Sequence, residues 1–262
     1  NKCIYELITD EKFDNMIEDI LTKYKKNGTS EEMTQQEEIA FYNEIIENIE
    51  TIFTDKNFDT TNLDLGLEKV IKKGKIVITL ATTQSQKNKT SYNYNMTILD
   101  LGNCEKDLKE FYNISDDEII YIKKMDVIQE GMKTSKVDFN VYCKFNGTNL
   151  IRLNKSICEN SKVSLYIPID LSGNNIDKLN ARSDYFNTIC YSSKSDSKTD
   201  IPLKDRQKEF VEGNKTICQE DCLFAYYNHS TSTANCSCSV KEFSDAYENM
   251  KINKSKLYEN FA

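Results

Sequence analysis

The sequence predicts an α+β protein with an N-terminal helical subdomain, an antiparallel β-sandwich-like middle and a small C-terminal disulfide-rich module. Three observations carry this prediction. Apolar residues recur every three to four positions in the first part of the chain, they alternate with polar residues in the middle, and cysteines become dense near the end. We place the three regions at residues 1–73, 74–172 and 173–262.

The helical pattern predicts three helices in the first region. The first begins at Asp10 and ends at Asn27-Gly28, and the second follows a capping box at 29–32 and carries its apolar stripe from Ile39 to Phe53. A third, shorter helix is predicted from Leu63 to Ile71, with Gly74 closing it.

Strict alternation predicts antiparallel strands in the middle region. Pro168 falls on the polar face of the last strand, which favours an edge position because proline cannot donate to a ladder. Cys104 to Tyr112 has helical spacing and interrupts the strands. A turn at Asn146-Gly147 joins two of the predicted strands, 137–145 and 150–153, into a hairpin. The predicted strands are 76–80, 118–122, 137–145, 150–153 and 163–171.

Charge and hydropathy exclude several function classes. Lys plus Arg number 34 and Asp plus Glu number 42, so the net charge is −8. Binding to nucleic acid or to anionic lipid requires a basic surface, and we therefore predict neither. No apolar run reaches 18 residues, so we predict no membrane span within this chain.

Ten Asn-x-Ser/Thr triplets (sequons) indicate passage through the secretory pathway. Roughly 4 would occur by chance at this Asn, Ser and Thr content, and none of the ten has proline in the middle. We expect N-linked glycans on several of them. The candidate acceptors are Asn27, Asn88, Asn95, Asn113, Asn146, Asn154, Asn214, Asn228, Asn235 and Asn253.

Nine cysteines indicate an oxidising compartment. The cluster Cys218-x3-Cys222-x13-Cys236-x-Cys238 fits a disulfide-stapled module better than a zinc site, which favours paired Cys-x2–4-Cys or histidine ligands. One cysteine is left over. We predict that Cys3 is the unpaired cysteine, and a free buried thiol elsewhere in the chain is the alternative. The eight predicted half-cystines are Cys104, Cys143, Cys158, Cys190, Cys218, Cys222, Cys236 and Cys238.

The sequence predicts no catalytic residue, no metal site and no cofactor. His229 is the only histidine, and it lies within a sequon among polar residues, whereas a general base needs an orienting partner and a pocket. Phosphate-binding glycine loops, a G-x-S-x-G nucleophile motif and H-E-x-x-H are all lacking from the sequence.

Residues 97–242, more than half of the chain, resemble a recurring segment of large Cys-rich surface proteins of protists. This resemblance implies an extracellular setting and no particular activity. A weaker likeness is to the GAIN domain of adhesion receptors, but no histidine follows Cys236-Ser237-Cys238 and tryptophan is missing. The motifs that carry the first resemblance are Leu101-Gly102-Asn103-Cys104, Tyr112-Asn113-Ile114-Ser115, residues 146–153, Leu203-Lys204-Asp205-Arg206 and residues 218–222.

Together these observations predict a non-enzymatic, N-glycosylated structural or recognition module of a cell-surface protein. Its expected partners are N-linked glycans and other proteins or copies of itself. A self-assembling subunit of an extracellular fibre is the alternative, because residues 163–171 are a predicted edge strand and Cys3 is left over. A secreted hydrolase with paired carboxylates is a third possibility with no motif behind it.

Overall fold

The α+β class is confirmed by the computed structural model of the chain. The structure describes residues 10–24, 33–88, 96–129, 132–145, 149–171, 176–213, 215–241 and 246–261. Within these ranges the α-helices are α1 Asp10–Tyr24, α2 Gln35–Phe53, α3 Thr61–Asp64, α4 Thr83–Lys87, α5 Asn103–Phe111, α6 Asp184–Asn187 and α7 Leu203–Glu212. The 3₁₀ turns are Lys155–Cys158, Ile176–Leu179, Tyr247–Met250 and Lys254–Asn260.

The strands form two antiparallel sheets. Sheet 1 has the order β1-β2-β4-β5-β6 and sheet 2 has the order β3-β7-β9-β8. The strands are β1 Lys69–Lys73, β2 Ile76–Thr82, β3 Ile98–Asp100, β4 Ile120–Val127, β5 Lys136–Lys144, β6 Leu150–Arg152, β7 Lys162–Pro168, β8 Cys222–Asn228 and β9 Thr233–Ser239.

Sheet 1 is the middle layer of the fold. One of its faces packs against α1 and α2, and Ile45, Phe53 and Tyr121 belong to the core between them. Its other face packs against sheet 2, where Ile122 and Leu165 share a second core. Successive side chains of a strand point to opposite faces, and both faces of sheet 1 are covered, so all eight residues of β4 are buried. None of the helices in the described ranges is long and apolar enough to cross a bilayer.

The second helix begins later than the sequence predicts. The capping box that starts α2 is formed by Thr34 and Glu37: the Glu37 amide donates to the Thr34 hydroxyl at 3.3 Å, and the Glu37 carboxylate accepts from the Thr34 amide at 2.8 Å. The capping box predicted at 29–32 lies outside the described residues.

The predicted third helix is wrong. The chain makes only the single turn α3 and then enters strand β1, which continues through Gly74 and Lys75 into β2 as a hairpin. Gly74 has a φ of +53°, and a Cβ there would lie 2.2 Å from the Tyr42 hydroxyl, so glycine is required by both conformation and space. The Tyr42 hydroxyl accepts from the Lys75 amide at 2.9 Å and ties the hairpin to α2.

The predicted edge strand is also wrong. Strand β7 lies between β3 and β9 and is therefore central. Pro168 is tolerated there because β3 spans three residues and pairs only with Tyr166, Leu165 and Ser164, so β3 has already ended where Pro168 would need to donate.

The three regions predicted from the sequence contribute to common sheets and hydrophobic cores. Strands β8 and β9, from the Cys-rich region, complete sheet 2 with β3 and β7. Tyr247 and Met250, near the C-terminus, pack in the core beneath α2, and the Tyr247 amide donates to the Asn43 side chain at 2.6 Å. The C-terminal region thus contacts both layers that precede it.

Candidate functional site

Three disulfide bonds cross-link the fold. Cys104–Cys158 joins α5 to the 3₁₀ turn after β6, Cys218–Cys236 anchors the segment before β8, and Cys222–Cys238 crosses directly between β8 and β9. All six half-cystines are buried. Two of the three disulfides lie in the region where the sequence predicts a disulfide-rich module, and the third lies in the middle region. No cluster of metal-ligating side chains is found in the described residues.

The predicted bridging of Cys143 and Cys190 is wrong, because both are free. Cys143 lies on the buried face of β5, its thiol donates weakly to the Lys144 carbonyl at 3.6 Å, and burial raises the pKa of that thiol. Cys190 is exposed in the segment after α6. Cys3 lies outside the described residues.

Five of the candidate glycan acceptors lie at or near the surface. Asn88, Asn113, Asn154 and Asn253 are exposed, and Asn228 is half-buried. In three sequons the asparagine Oδ1 accepts from the amide two residues later, at 2.9 Å for Asn154, 3.0 Å for Asn228 and 3.1 Å for Asn253. Asn27, Asn95, Asn146 and Asn214 lie outside the described residues.

Asn235, another predicted glycan acceptor, is buried in the folded protein. It lies in β9 between Tyr166 of β7 and Tyr226 of β8 and is only 4% exposed. Tyr166 and Tyr226 interact through their side chains across it, which contributes to the raised pKa of Tyr166 after the larger effect of burial. Because the next residue, Cys236, is bridged on the opposite face, β9 cannot turn to expose Asn235.

His229 is exposed beside the turn that joins β8 to β9. Its ring lies 4.8 Å from that of Tyr227 in an edge-to-face contact, a surface arrangement that provides none of the enclosure a general base requires.

A cavity of about 790 Å³ lies on the described surface, and we call it the acidic groove. It is lined by residues 64–70 between α3 and β1, by 82–88 around α4, by the exposed side of α5, and by 116–120 before β4. Its described lining holds six carboxylates and one ammonium group. The carboxylates belong to Asp64, Glu68, Glu105, Asp116, Asp117 and Glu118, and the ammonium belongs to Lys109.

Three of these carboxylates are anchored to the walls. Glu68 accepts from the Gln86 amide at 2.6 Å, and Glu105 accepts from the Thr83 hydroxyl at 2.9 Å. Asp64 accepts from the Tyr121 hydroxyl at 2.6 Å, and burial followed by this hydrogen bond raises the pKa of Tyr121. These carboxylates hold the groove in shape and give it negative potential.

The other acidic residues lie in a hydrogen-bonded loop before β4. The Lys109 ammonium donates to the carbonyls of Asp116 and Glu118 at 2.7 and 3.0 Å. The Ser115 hydroxyl donates to the Asp117 carboxylate, and this hydrogen bond lowers the pKa of Asp117. The single lining lysine is thus engaged with backbone carbonyls, and the acidic side chains of this loop face solvent.

Exposed aliphatic side chains accompany the acidic ones in the groove. Leu65 is 74% exposed, Leu67 59%, Val70 39% and Ile119 38%. Soluble proteins seldom gather large aliphatic groups on one concave surface unless that surface binds something. Sequence reasoning does not find the groove, because Leu65, Leu67 and Val70 have the spacing of a helical stripe that would face the core.

The chain matches no family model, no curated protein and no solved structure.

Proposed function

We propose that this chain is a non-enzymatic, N-glycosylated recognition module of an extracellular or cell-surface protein. The observation that carries the proposal is the combination of three buried disulfides with exposed sequons. Stable disulfides are typical of secreted proteins, and exposed asparagines followed by a hydroxyl residue are the substrate of N-glycosylation. The resemblance to protist surface proteins agrees with this setting.

Assembly into an extracellular fibre is the alternative function. Strand exchange at 163–171 is no longer available to it, because β7 is hydrogen-bonded on both sides. A fibre linked by disulfide bonds between chains is still compatible with the structure, because the thiol of Cys190 is free and exposed. Electron microscopy of native material and non-reducing electrophoresis separate the two functions: covalent oligomers and regular filaments support the fibre, and discrete monomers support the module.

A hydrolase is the less supported candidate. Paired carboxylates would have to face a scissile bond, and two of the lining carboxylates are engaged by neighbouring side chains: Glu68 by Ser85 and Gln86, Glu105 by Thr83 and Lys87. The proposed module binds its partner and leaves it chemically unchanged.

The test is the intact mass of the native protein before and after N-glycosidase and before and after reduction with alkylation. We expect glycosidase to remove several glycans and reduction to expose six additional alkylation sites among the described cysteines. A native chain with no glycan and with all of its thiols reduced would contradict the proposal.

A further inference from the structure

The acidic groove combines exposed aliphatic side chains with a cluster of carboxylates. Residues 64–70 give it the exposed aliphatic groups of Leu65, Leu67 and Val70, and the loop at 116–118 gives it three carboxylates. An apolar lining selects aliphatic side chains, and a desolvating concave surface strengthens the attraction of a cation to its carboxylates. A ligand that satisfies both must carry aliphatic and basic groups close together.

We propose that the acidic groove binds a peptide segment of a partner protein in which lysine or arginine alternates with aliphatic residues. An extended peptide points successive side chains in opposite directions, so its aliphatic side chains can contact Leu65 and Leu67 while its basic side chains reach Asp116 and Glu118. This inference deepens the proposed function and rests on it for the nature of the partner.

Charge complementarity favours this occupant over a second copy of the chain. The chain carries a net charge of −8, so bringing two copies together at an acidic surface is opposed by repulsion. Among the lining carboxylates Glu105 is paired with Lys87 at 2.6 Å, whereas the lining ammonium of Lys109 donates to the carbonyls of Ser115, Asp116 and Glu118. The acidic groove thus attracts a cationic partner and disfavours an acidic one.

The probe is the fluorescein-labelled, N-acetylated hexapeptide Lys-Leu-Lys-Val-Lys-Leu, titrated with the purified full chain and followed by fluorescence anisotropy. Two control peptides replace every lysine by glutamate or every aliphatic residue by serine. We expect the first peptide to bind at least about tenfold more tightly than either control, because each control removes one half of the recognition. The affinity of the first peptide should fall as salt increases.

Substitutions at exposed positions locate the binding. Leu65→Ser/Leu67→Ser should weaken binding of the first peptide about tenfold, and Asp116→Lys should weaken it severalfold and flatten its salt dependence. The matched controls are Ile189→Ser and Asp196→Lys, which make the same chemical changes at exposed positions away from the acidic groove and should change affinity less than about twofold. Circular dichroism of each variant verifies the fold.

Two results would overturn the inference: equal affinity for the lysine and glutamate peptides, or equal losses in the groove variants and their controls. The mass measurement above keeps this failure separate from failure of the proposed function. A glycosylated, disulfide-bonded chain that ignores the lysine peptide would retain its function as an extracellular module and lose only this ligand.

Discussion

The side-chain amide of Gln219 pairs with the backbone of Val137 as a neighbouring strand would. The Val137 amide donates to Gln219 Oε1 at 2.7 Å, and Gln219 Nε2 donates to the Val137 carbonyl at 3.1 Å. Strand β6 covers only the far end of β5, from Tyr142 to Lys144. Gln219, held between Cys218 and Cys222, therefore blocks a sheet edge that would otherwise be open to another chain.

The same edge is closed by two further groups at alternate residues. The Leu153 amide donates to the Val141 carbonyl at 2.8 Å, and the Lys155 ammonium donates to the Phe139 carbonyl at 2.5 Å. The edge of β5 is thus covered by a backbone amide, an ammonium group and a side-chain amide. The side-chain amide of Gln219 links sheet 1 to the Cys-rich segment.

Gln219→Leu should destabilise the protein by about 2–4 kcal/mol, because it leaves the buried amide and carbonyl of Val137 without hydrogen bonds. The free energy of unfolding in urea measures the loss. The control is Gln207→Leu, where a half-buried side chain makes one hydrogen bond to the Phe186 carbonyl, and about 1 kcal/mol or less is expected. Equal losses in the two variants would contradict the bridging role of Gln219.

Periodic stripes were the part of the fold that the sequence could predict. The spacing of Ile45 and Ile49 in α2, and the alternation of Val137 and Val141 in β5, reflect burial on one face, and the structure has a helix and a strand there. The predicted start of the first helix at Asp10 agrees with α1, and its predicted end at Asn27-Gly28 lies outside the described residues.

Short or composition-poor strands were not predictable in this way. Strand β3 has three residues, and the inward face of β9 consists of alanine and two bridged cysteines, so neither has a run of large apolar residues. Neither strand is therefore recognisable from its residues, and β7 is predicted at an edge of the sheet. The acidic groove is not predictable for a related reason. Its aliphatic residues have the spacing of a stripe that faces a core, and their exposure is determined by the tertiary structure.

Removing the disulfide that closes the longest loop should cost the most stability. Cys104→Ala/Cys158→Ala opens a loop with a sequence separation of 54 and should cost about 4 kcal/mol, and Cys222→Ala/Cys238→Ala opens one of 16 and should cost about 3 kcal/mol. The reason is that a longer loop restricts the unfolded chain more. Urea unfolding of the two variants tests the order, and a larger loss from the shorter loop would contradict it. Cys190→Ala, at an exposed free thiol, is the control, and it should change the free energy of unfolding by no more than about 0.5 kcal/mol.

The two free cysteines should differ sharply in their reactivity. In a Cys3→Ser background, iodoacetamide should modify Cys190 in the native protein, because its side chain is exposed. Cys143 should react only after unfolding, because it is buried and burial raises the pKa of its thiol. Peptide mass mapping after timed labelling gives both rates, with Cys190→Ser as the control that abolishes native labelling. Rapid native labelling of Cys143 would show that β5 is not packed as described.

Stability should decrease above about pH 10 because of two buried tyrosines. Burial is the main cause that raises the pKa of Tyr121 and of Tyr247, so each phenol keeps its proton in the folded state while the unfolded chain loses it. The stabilising effect is complete below the unfolded pKa and is lost as the pH rises, by about 1.4 kcal/mol per pH unit for each tyrosine.

Urea unfolding between pH 8 and pH 11 tests this dependence. Tyr121→Phe and Tyr247→Phe should each make the decline shallower, whereas Tyr258→Phe, at an exposed ring, should leave it unchanged. A slope that is the same in all three variants would rule out the tyrosines as its source.

Glycan mapping of the native protein should find Asn253 occupied and Asn235 bare. Asn253 is exposed at the start of a 3₁₀ turn, and the Ser255 hydroxyl donates to its side chain at 2.6 Å. Asn235 is buried between Tyr166 and Tyr226, and a glycan there would have to displace both rings from sheet 2. Ser255→Ala should therefore remove one glycan from the intact mass, whereas Ser237→Ala, which destroys the sequon of Asn235, should leave the glycan count unchanged. A glycan on Asn235 in disulfide-bonded molecules would mean that the outer face of sheet 2 is open, contrary to the packing of these two tyrosines.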